Sequence, residues 1–170
     1  MTYRPPMKNK KAIILSIAAA VCAVVLILLS GIFDSYGGLY QISAIILGVV
    51  SIELYLKFAG SDYVYEIEEN SFKIYKITGK KSICVSSLDY EMSLTEVVSK
   101  ENYLSQKDTY PKYNFNVNFC KNISPDEYYI YFFEFNSKKC MMKFEPDGAF
   151  VKALNEKISM AFSNKGEDEE

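Results

Sequence analysis

Two long apolar runs open the sequence, and apolar and polar residues alternate through most of the remaining chain. The first run contains no charged residue from Ala12 to Phe33. A helix of this length rises about 1.5 Å per residue and crosses a hydrocarbon core of about 30 Å with some tilt. The run exceeds the about 7 to 15 apolar residues of a secretory signal and lacks its small-residue cleavage site. The pattern therefore predicts a membrane-spanning helix over residues 12–33.

The second apolar run, residues 39–58, is interrupted by Glu53 and Lys57. These two residues are four positions apart in the order that favours a helical ion pair, and both lie close to the end of the run, where polar groups reach the lipid headgroups. We therefore expect a second membrane-spanning helix with an ion pair between Glu53 and Lys57. Small residues at helical spacing favour close packing, within one hairpin or between copies: Ser16, Ala20, Ala44 and Gly48.

Basic residues flank the apolar runs on one side only. Arg4, Lys8, Lys10 and Lys11 precede the first run and Lys57 closes the second, whereas the turn at residues 34–38 has no basic residue. By the positive-inside rule, both ends of this hairpin face the cytoplasm and the turn faces outward. We therefore expect a multi-pass cell-membrane protein with both termini cytoplasmic and a basic cytoplasmic N-terminus over residues 1–11.

After Gly60 the apolar residues recur at every second position, which is the period of half-buried strands. The pairs Asn70-Ser71 and Thr78-Gly79 mark turns between the first three predicted strands. Leu88 and Tyr90 extend the pattern into a fourth, short strand. The residues expected on the apolar faces of the first three strands are Tyr63, Tyr65, Ile67, Phe72, Ile74, Ile83 and Val85.

The second half of the predicted domain begins with an interruption of this alternation. Ser93 and Glu96 form a capping-box pattern, which predicts a short helix ahead of the boundary at Pro111. Three further strands follow. The apolar residues of the first are Tyr113, Phe115, Val117 and Phe119. The second is the aromatic run 128–135, which is expected to be central in the sheet. The apolar residues of the third are Cys140, Met142 and Phe144.

A single amphipathic helix is expected to end the fold. Pro146-Asp147 is a helix-start signal, and the apolar residues Phe150, Leu154, Ile158 and Ala161 form one stripe. Lys165-Gly166 marks its end, and residues 164–170 are predicted to be a disordered acidic tail. The fold class predicted for residues 61–163 is therefore α+β: an antiparallel β-sandwich or barrel of about seven strands with a C-terminal capping helix, following a membrane α-hairpin.

Two segments of this domain resemble a known family. They are YEIEENSFKIYKITGK at residues 65–80 and FEPDGAFVKAL at residues 144–154. With the order of predicted elements, they make residues 62–162 similar to the bacterial PH-like domains, especially those of small membrane proteins in which the domain follows a two-helix hairpin. The resemblance implies a PH-like fold on the cytoplasmic side of the membrane, and it carries no catalytic motif.

Composition argues against catalysis, metals and nucleic acids. The chain has no histidine, the commonest general base and metal ligand at neutral pH. Its cysteines, Cys22, Cys84, Cys120 and Cys140, form no CxxC pair. After Gly60 there are 14 lysines against 19 acidic residues and no arginine, so a basic footprint for nucleic acid is missing. We therefore expect no enzyme activity, no cofactor and no metal site.

Two groups of residues remain as candidate binding sites. Lys80 and Lys81 form a basic turn, which is either solvated or in contact with anionic lipid. Tyr110, Tyr113 and Tyr128 belong to an excess of tyrosines that cannot all be buried, and exposed tyrosines favour protein contacts. The preferred hypothesis is a non-enzymatic, membrane-tethered module that binds a protein, or a second copy of itself. The alternatives are a lipid or amphiphile binder and an accessory subunit of a membrane transport or enzyme complex.

Overall fold

The computed structural model describes residues 1–6, 10–33 and 36–167, and for residues 165–167 it describes the backbone alone. The chain forms two compact units. One unit is helical and extends from Met7 to Ser61. The other combines Met1–Pro6 with Asp62–Glu170, so the helical unit is inserted in the sequence of the domain.

The helical unit consists of α1, Lys11–Ser30, and α2, Gly37–Leu54, which continues as a π-helix over Tyr55–Ala59. Both helices are long and apolar enough to cross a membrane. The first ends three residues before the predicted boundary, and the second begins two residues earlier than predicted and extends one residue beyond residue 58. Of the predicted turn, residues 34 and 35 lie outside the described residues, and Gly37 and Gly38 belong to α2.

The two helices contact each other through small side chains. The more buried residues of α1 recur at alternating spacings of four and three, as in a coiled-coil seam, and include Ala12, Ser16 and Ala23. Ser16 Oγ donates to the Ser51 carbonyl at 2.9 Å, and Ser51 Oγ donates to the Ser16 carbonyl at 2.8 Å. The early part of α1 therefore lies beside the late part of α2, so the helices are antiparallel. The predicted small-residue packing occurs within the hairpin, although Ala20 is exposed.

The first sheet of the domain has the order β1-β2-β3-β4. Its strands are β1, Thr2–Tyr3; β2, Ser61–Ile67; β3, Ser71–Thr78; and β4, Lys81–Asp89. Strand β1 pairs antiparallel with β2 through Tyr3 and Tyr65. The sequence did not predict β1, because two residues are too few to show a period of two. Leu88 belongs to β4, and Tyr90 begins a 3₁₀ turn over Tyr90–Met92, so the separate fourth short strand predicted there was wrong.

The second sheet has the order β5-β7-β8-β6. Its strands are β5, Val98–Ser99; β6, Phe115–Asn118; β7, Tyr129–Phe135; and β8, Lys138–Phe144. Strand β7 is central, as predicted. The β7–β8 turn at Asn136 and Ser137 has positive φ angles of 49° and 58°, as a tight hairpin turn requires. Strand β6 pairs with β8 in parallel, which corrects the expectation of a purely antiparallel sandwich.

Three helical segments complete the domain: α3, Lys100–Ser105; a 3₁₀ turn, Lys107–Thr109; and α4, Gly148–Glu167. The Asp147 carboxylate accepts from the backbone N–H of Phe150 at 2.8 Å, so the predicted start of α4 is capped. Phe150, Leu154 and Ile158 are fully buried, which confirms the predicted stripe. The sequence predicted the end of this helix at Lys165-Gly166, but the helix continues to Glu167. Residues 164–167 of the predicted disordered tail are therefore helical, and residues 168–170 lie outside the described residues.

The main core lies between the two sheets and α4. Aromatic rings dominate it: the Tyr65 and Phe144 ring centroids are 5.4 Å apart, as are those of Phe72 and Phe144, and Phe150 of α4 contacts Tyr65 and Phe72. A second, smaller cluster covers the other face of the second sheet and consists of Tyr103, Ile130, Phe132 and Met141. Side chains therefore cover both faces of β7, in agreement with its aromatic composition.

The helix predicted from Ser93 and Glu96 was wrong. Ser93 is buried and its hydroxyl is 2.5 Å from the Tyr131 hydroxyl, in an environment where burial raises the pKa of Tyr131 to about 12. The segment stays extended because the Asn155 side chain of α4 accepts from the backbone N–H of Val97 at 2.8 Å and donates to its carbonyl at 3.0 Å. The true cap is Ser99, whose hydroxyl accepts from the backbone N–H of Asn102 at the start of α3.

Candidate interaction surfaces

The end of the domain at which the chain leaves after Pro6 and re-enters at Asp62 contains a charged cluster. The Asp62 carboxylate forms ion pairs with Arg4 and with Lys121, the latter at 2.6 Å. Only 2% of the Lys121 side chain is exposed, whereas 60% of the Arg4 side chain is exposed. Asp62 thus neutralises a buried ammonium group and also holds the segment that precedes the first helix.

The balance of charges at this cluster is visible in the pKa of Asp62. Burial raises the pKa of this carboxyl, but the hydrogen bonds from Lys121 and Arg4 outweigh burial, so the pKa lies below its ordinary value. Asp62 is therefore ionised at neutral pH, which is the state that stabilises the buried Lys121 ammonium.

A second polar network holds the same end of the domain. The Glu145 carboxylate accepts from the backbone N–H of Asn122 at 2.9 Å and from its side-chain amide at 3.1 Å, and that amide also donates to the Pro6 carbonyl at 3.2 Å. The Tyr65 hydroxyl donates to the Phe119 carbonyl at 2.9 Å and accepts from the backbone N–H of Glu145. The loop after β6, the end of β8 and the N-terminal segment are therefore fixed to one another.

Strand β6 lies at the edge of the second sheet, and its side chains are exposed. Phe115 is 51% exposed and Val117 is 38% exposed. Both were predicted as apolar residues of a regularly alternating strand. They pair with Cys140 and Met142 of β8, and only at Phe119 does this row pack against the main core. An edge strand with exposed apolar side chains is a template for contact with another chain.

The three tyrosines proposed as a partner surface occupy different environments. Tyr110 is partly buried and stacks on Phe132, with ring centroids 5.6 Å apart. The Tyr128 ring is also partly buried and lies under two ammonium groups, Lys100 at 5.4 Å and Lys143 at 5.6 Å. Tyr113 is 40% exposed and leads directly into β6. The tyrosine that adjoins an exposed surface is thus Tyr113.

Strands β3 and β4 form a hairpin whose outer part is exposed and basic. Its turn is at Gly79, where φ is +59°, and Lys80 and Lys81 are exposed beside it. Ile83, predicted as part of the apolar face, is 61% exposed. The core ends before this point, because the last buried residue of β3 is Ile74. The hairpin therefore extends beyond the packed part of the domain.

The basic residues used to predict topology are at the surface where the structure describes them. Arg4 belongs to the charged cluster, Lys10 precedes α1 and Lys11 begins it, whereas Lys8 lies outside the described residues. Glu53 and Lys57 are both described and exposed, but they form no ion pair among the described residues. The π-helix that begins at Tyr55 widens the turn between them, so positions four apart no longer align.

Sequence reasoning missed the charged and polar residues at the entry to the domain: Asp62, Lys121, Asn122 and Glu145. A buried lysine has no signature in a single sequence, because lysine is usually solvated. The one available signal was Asp62 itself, an acidic residue near the start of the predicted strand that contains Tyr63, Tyr65 and Ile67.

The part of the chain that the structure describes contains no group of three or more His, Cys, Asp or Glu residues that could hold a metal ion. A family model described as "Bacterial PH-like domain (DUF6106)" matches residues 6–164. The chain belongs to this family. The match includes both apolar helices as well as the PH-like domain, so the hairpin is part of the family pattern. PH-like domains are generally non-catalytic. Comparisons with curated proteins and with solved structures gave no significant match.

Proposed function

We propose that this protein is a non-enzymatic, membrane-tethered PH-like module that binds a protein partner at the edge of its second sheet. The observation that carries the proposal is strand β6, an edge strand with exposed apolar side chains, Phe115 and Val117, that follow the exposed Tyr113. Backbone pairing along an edge gives affinity, and alternate side chains give specificity, when a partner segment adds to a sheet.

Membrane tethering is supported by the way the helical unit distributes its side chains. Small residues such as Ala44 and Ser51 face the helix contact, and large aliphatic residues such as Ile14, Leu28 and Ile45 are exposed. In water this arrangement exposes far more apolar surface than soluble proteins tolerate, whereas in a bilayer it is the usual one.

A cytoplasmic location of both termini is supported by the discontinuity of the domain. Strand β1 precedes both helices and pairs with β2, which comes after them. A folded domain cannot be shared across a bilayer, so two membrane-spanning helices between β1 and β2 bring the chain back to the side from which it started. Lys10, Lys11 and Lys57 at the ends of the hairpin select the cytoplasmic side.

Site-specific photo-crosslinking of the full chain in its native membranes tests partner binding. A photoreactive residue at Phe115, which is 51% exposed, should give a discrete protein adduct. The same residue at Met160 of α4, which is 60% exposed, should give none. A discrete adduct whose mass is twice that of the chain would identify the partner as a second copy.

A matched pair of substitutions makes the test specific to this edge. Val117→Lys in β6 should abolish the adduct, because a lysine on an edge strand opposes pairing. Val85→Lys in β4 is the matched control, because Val85 is 40% exposed and Val117 is 38% exposed. It should leave the adduct unchanged, since Val85 lies outside the second sheet. No adduct from Phe115, or equal loss with both substitutions, would overturn the proposal.

A further inference from the structure

We propose that the outer part of the β3–β4 hairpin, residues 76–83, is a docking surface for the headgroups of anionic phospholipids. We call these residues the hairpin tip. The inference goes beyond protein binding, and it rests on the proposed insertion of α1 and α2 into a bilayer.

The charge of the hairpin is the first argument. From Ser71 to Leu88 the sequence contains four lysines and no acidic residue, although the chain as a whole is acidic with a net charge of −2. Lys73, outside the tip, pairs with Glu68 at 2.6 Å. Lys76, Lys80 and Lys81 form no ion pair among the described residues. The tip therefore presents three ammonium groups that no described carboxylate pairs with, and such groups can bind anionic headgroups.

An exposed aliphatic side chain accompanies these lysines. Ile83 pairs with Lys76 across the two strands, and Thr78 pairs with Lys81. Cross-strand partners share a face, so Ile83 lies on the same face as Lys76 and Lys81. A surface that combines lysines with an aliphatic residue fits the boundary between headgroups and acyl chains, where both kinds of group are satisfied.

The position of the tip in the sheet is the second, independent argument. Strands β2 and β3 are neighbours joined by a tight turn, in which the Glu68 N–H donates to the Ser71 carbonyl at 2.9 Å. They therefore run in opposite directions, and the end of β3 returns to the end of the sheet at which β2 begins. This is the end where the chain enters the domain from α2. The tip thus lies at the end of the sheet that is connected to the hairpin of helices.

The opposite end of the same sheet provides a contrast within the domain. The β2–β3 turn carries Glu68 and Glu69 together with Asn70, and Glu68 engages Lys73. An acidic turn is repelled by an anionic surface. Charge and connectivity therefore select the same end of the sheet for lipid contact.

Two native cysteines provide separate probes for insertion and docking. Cys22 in α1 and Cys84 in β4 are exposed, whereas Cys120 and Cys140 are buried. The full chain with Cys22→Ser is labelled with a fluorophore at Cys84, and the chain with Cys84→Ser is labelled at Cys22. Both are placed in nanodiscs of neutral phosphatidylcholine, or of phosphatidylcholine with a third of phosphatidylglycerol.

Quenching by nitroxide lipids distinguishes the two questions. Acyl-chain nitroxides should quench the Cys22 label in both kinds of nanodisc, which verifies insertion. Headgroup nitroxides should quench the Cys84 label strongly in the anionic nanodiscs and weakly in the neutral ones, and added salt should reduce the difference. If Cys22 is quenched and Cys84 responds equally in both lipids, the docking proposal is overturned while insertion stands. If Cys22 is not quenched, insertion fails and docking is overturned with it.

Substitution of the lysines tests their role directly. Each lysine at an anionic surface changes the ratio of docked to undocked tip by about fivefold, so Lys80→Gln with Lys81→Gln should lower that ratio by about 25-fold. The matched control is Lys138→Gln with Lys139→Gln, an exposed lysine pair beside the β7–β8 turn. Equal effects of the two double substitutions would show that net charge alone matters, and would overturn the assignment to the tip.

Discussion

The helical unit and the domain place the same kinds of residue in opposite positions. In the domain, Tyr65, Phe72, Phe132 and Leu154 are buried, and the described charged residues other than Lys121 and Glu145 are at least partly exposed. In α1 and α2 of the helical unit the buried positions are held by alanine, glycine and serine, and the large aliphatic residues are mostly exposed. The hydrophobic effect drives large apolar groups out of water, so it explains the domain directly. It explains the helical unit only if the surroundings of that unit are lipid.

Exposure therefore has two meanings in one chain. In the proposed bilayer an exposed isoleucine of α1 or α2 would contact lipid, which accepts it, whereas an exposed isoleucine of the domain contacts water and requires a separate reason. For Ile83 and Phe115, the proposed lipid and partner contacts would provide that reason. Substitutions that reverse the polarity of matched positions in the two units test this contrast.

The largest expected effect is in the domain core. Leu154→Asp places a charge at a fully buried position of α4 and should lower the free energy of unfolding by about 4 kcal/mol. Thermal unfolding of the full chain in detergent, followed by the near-ultraviolet circular dichroism of its tyrosines, measures the loss. The control is Lys152→Asp on the exposed face of the same helix, which should change stability by about 0.5 kcal/mol or less. An unchanged melting profile for Leu154→Asp would contradict the packing of α4.

The next effect distinguishes lipid from water around the helical unit. Val21→Asp at the middle of α1 should disfavour insertion by about 3 kcal/mol, because a carboxylate at the bilayer centre is poorly solvated. Met160→Asp in α4 should have almost no effect, although Val21 and Met160 are 57% and 60% exposed. Carbonate extraction of membranes measures the inserted fraction. Equal, small effects of the two substitutions would mean that water surrounds both positions.

The smallest effect concerns the polar groups that each unit buries. Asp62→Asn removes the carboxylate that pairs with the buried Lys121, and because Asp62 is partly exposed it should cost about 2 kcal/mol. Ser16→Ala removes neutral hydrogen bonds between α1 and α2 and should cost only about 0.6 kcal/mol. Unfolding in urea, followed by tyrosine signals for the domain and by helical circular dichroism for the hairpin, gives both values.

The pH dependence of Asp62 gives this last comparison a definite direction. The pKa of Asp62 in the folded domain is lower than its ordinary value of 3.8. The ionised Asp62 therefore stabilises the fold fully above pH 3.8, and this stabilisation is lost as the pH falls through the pKa of the folded domain. The difference in stability between the wild type and Asp62→Asn should therefore shrink on acidification below pH 3.8. A difference that stays constant down to about pH 2 would show that Asp62 acts without its charge.

The sequence predicted elements whose signals are local. The alternation of Tyr63, Tyr65 and Ile67, the paired turn residues Asn136-Ser137 and the stripe on α4 all depend on neighbours within a few positions, and the structure contains each of them. The bacterial PH-like fold was likewise evident from two segments and the order of elements, and family membership confirms it.

The remaining features depend on contacts between distant residues. Strand β1 is two residues long and exists only because β2 is beside it. Ser93 forms no helix because Tyr131 and Asn155, from β7 and α4, hold the segment extended. Strand β6 pairs with β8 in parallel at the edge of the sheet, and its Phe115 and Val117 are exposed, although their alternation is as regular as that of a core strand. Periodicity shows that a strand has an apolar face, but it does not show whether another layer covers that face.

The pairing of β1 with β2 has a consequence for biosynthesis. The Met1 amine donates to the Ile67 carbonyl at 2.8 Å across 66 positions, so β1 leaves the ribosome long before its partner does. Closing a loop of that size costs entropy, but antiparallel association of α1 with α2 shortens the effective loop. The first sheet can therefore be completed only after both helices have been translated, and their association favours that step. A nascent chain whose helices fail to associate would keep β2 paired with β3 but would leave exposed the edge of β2 that β1 otherwise covers.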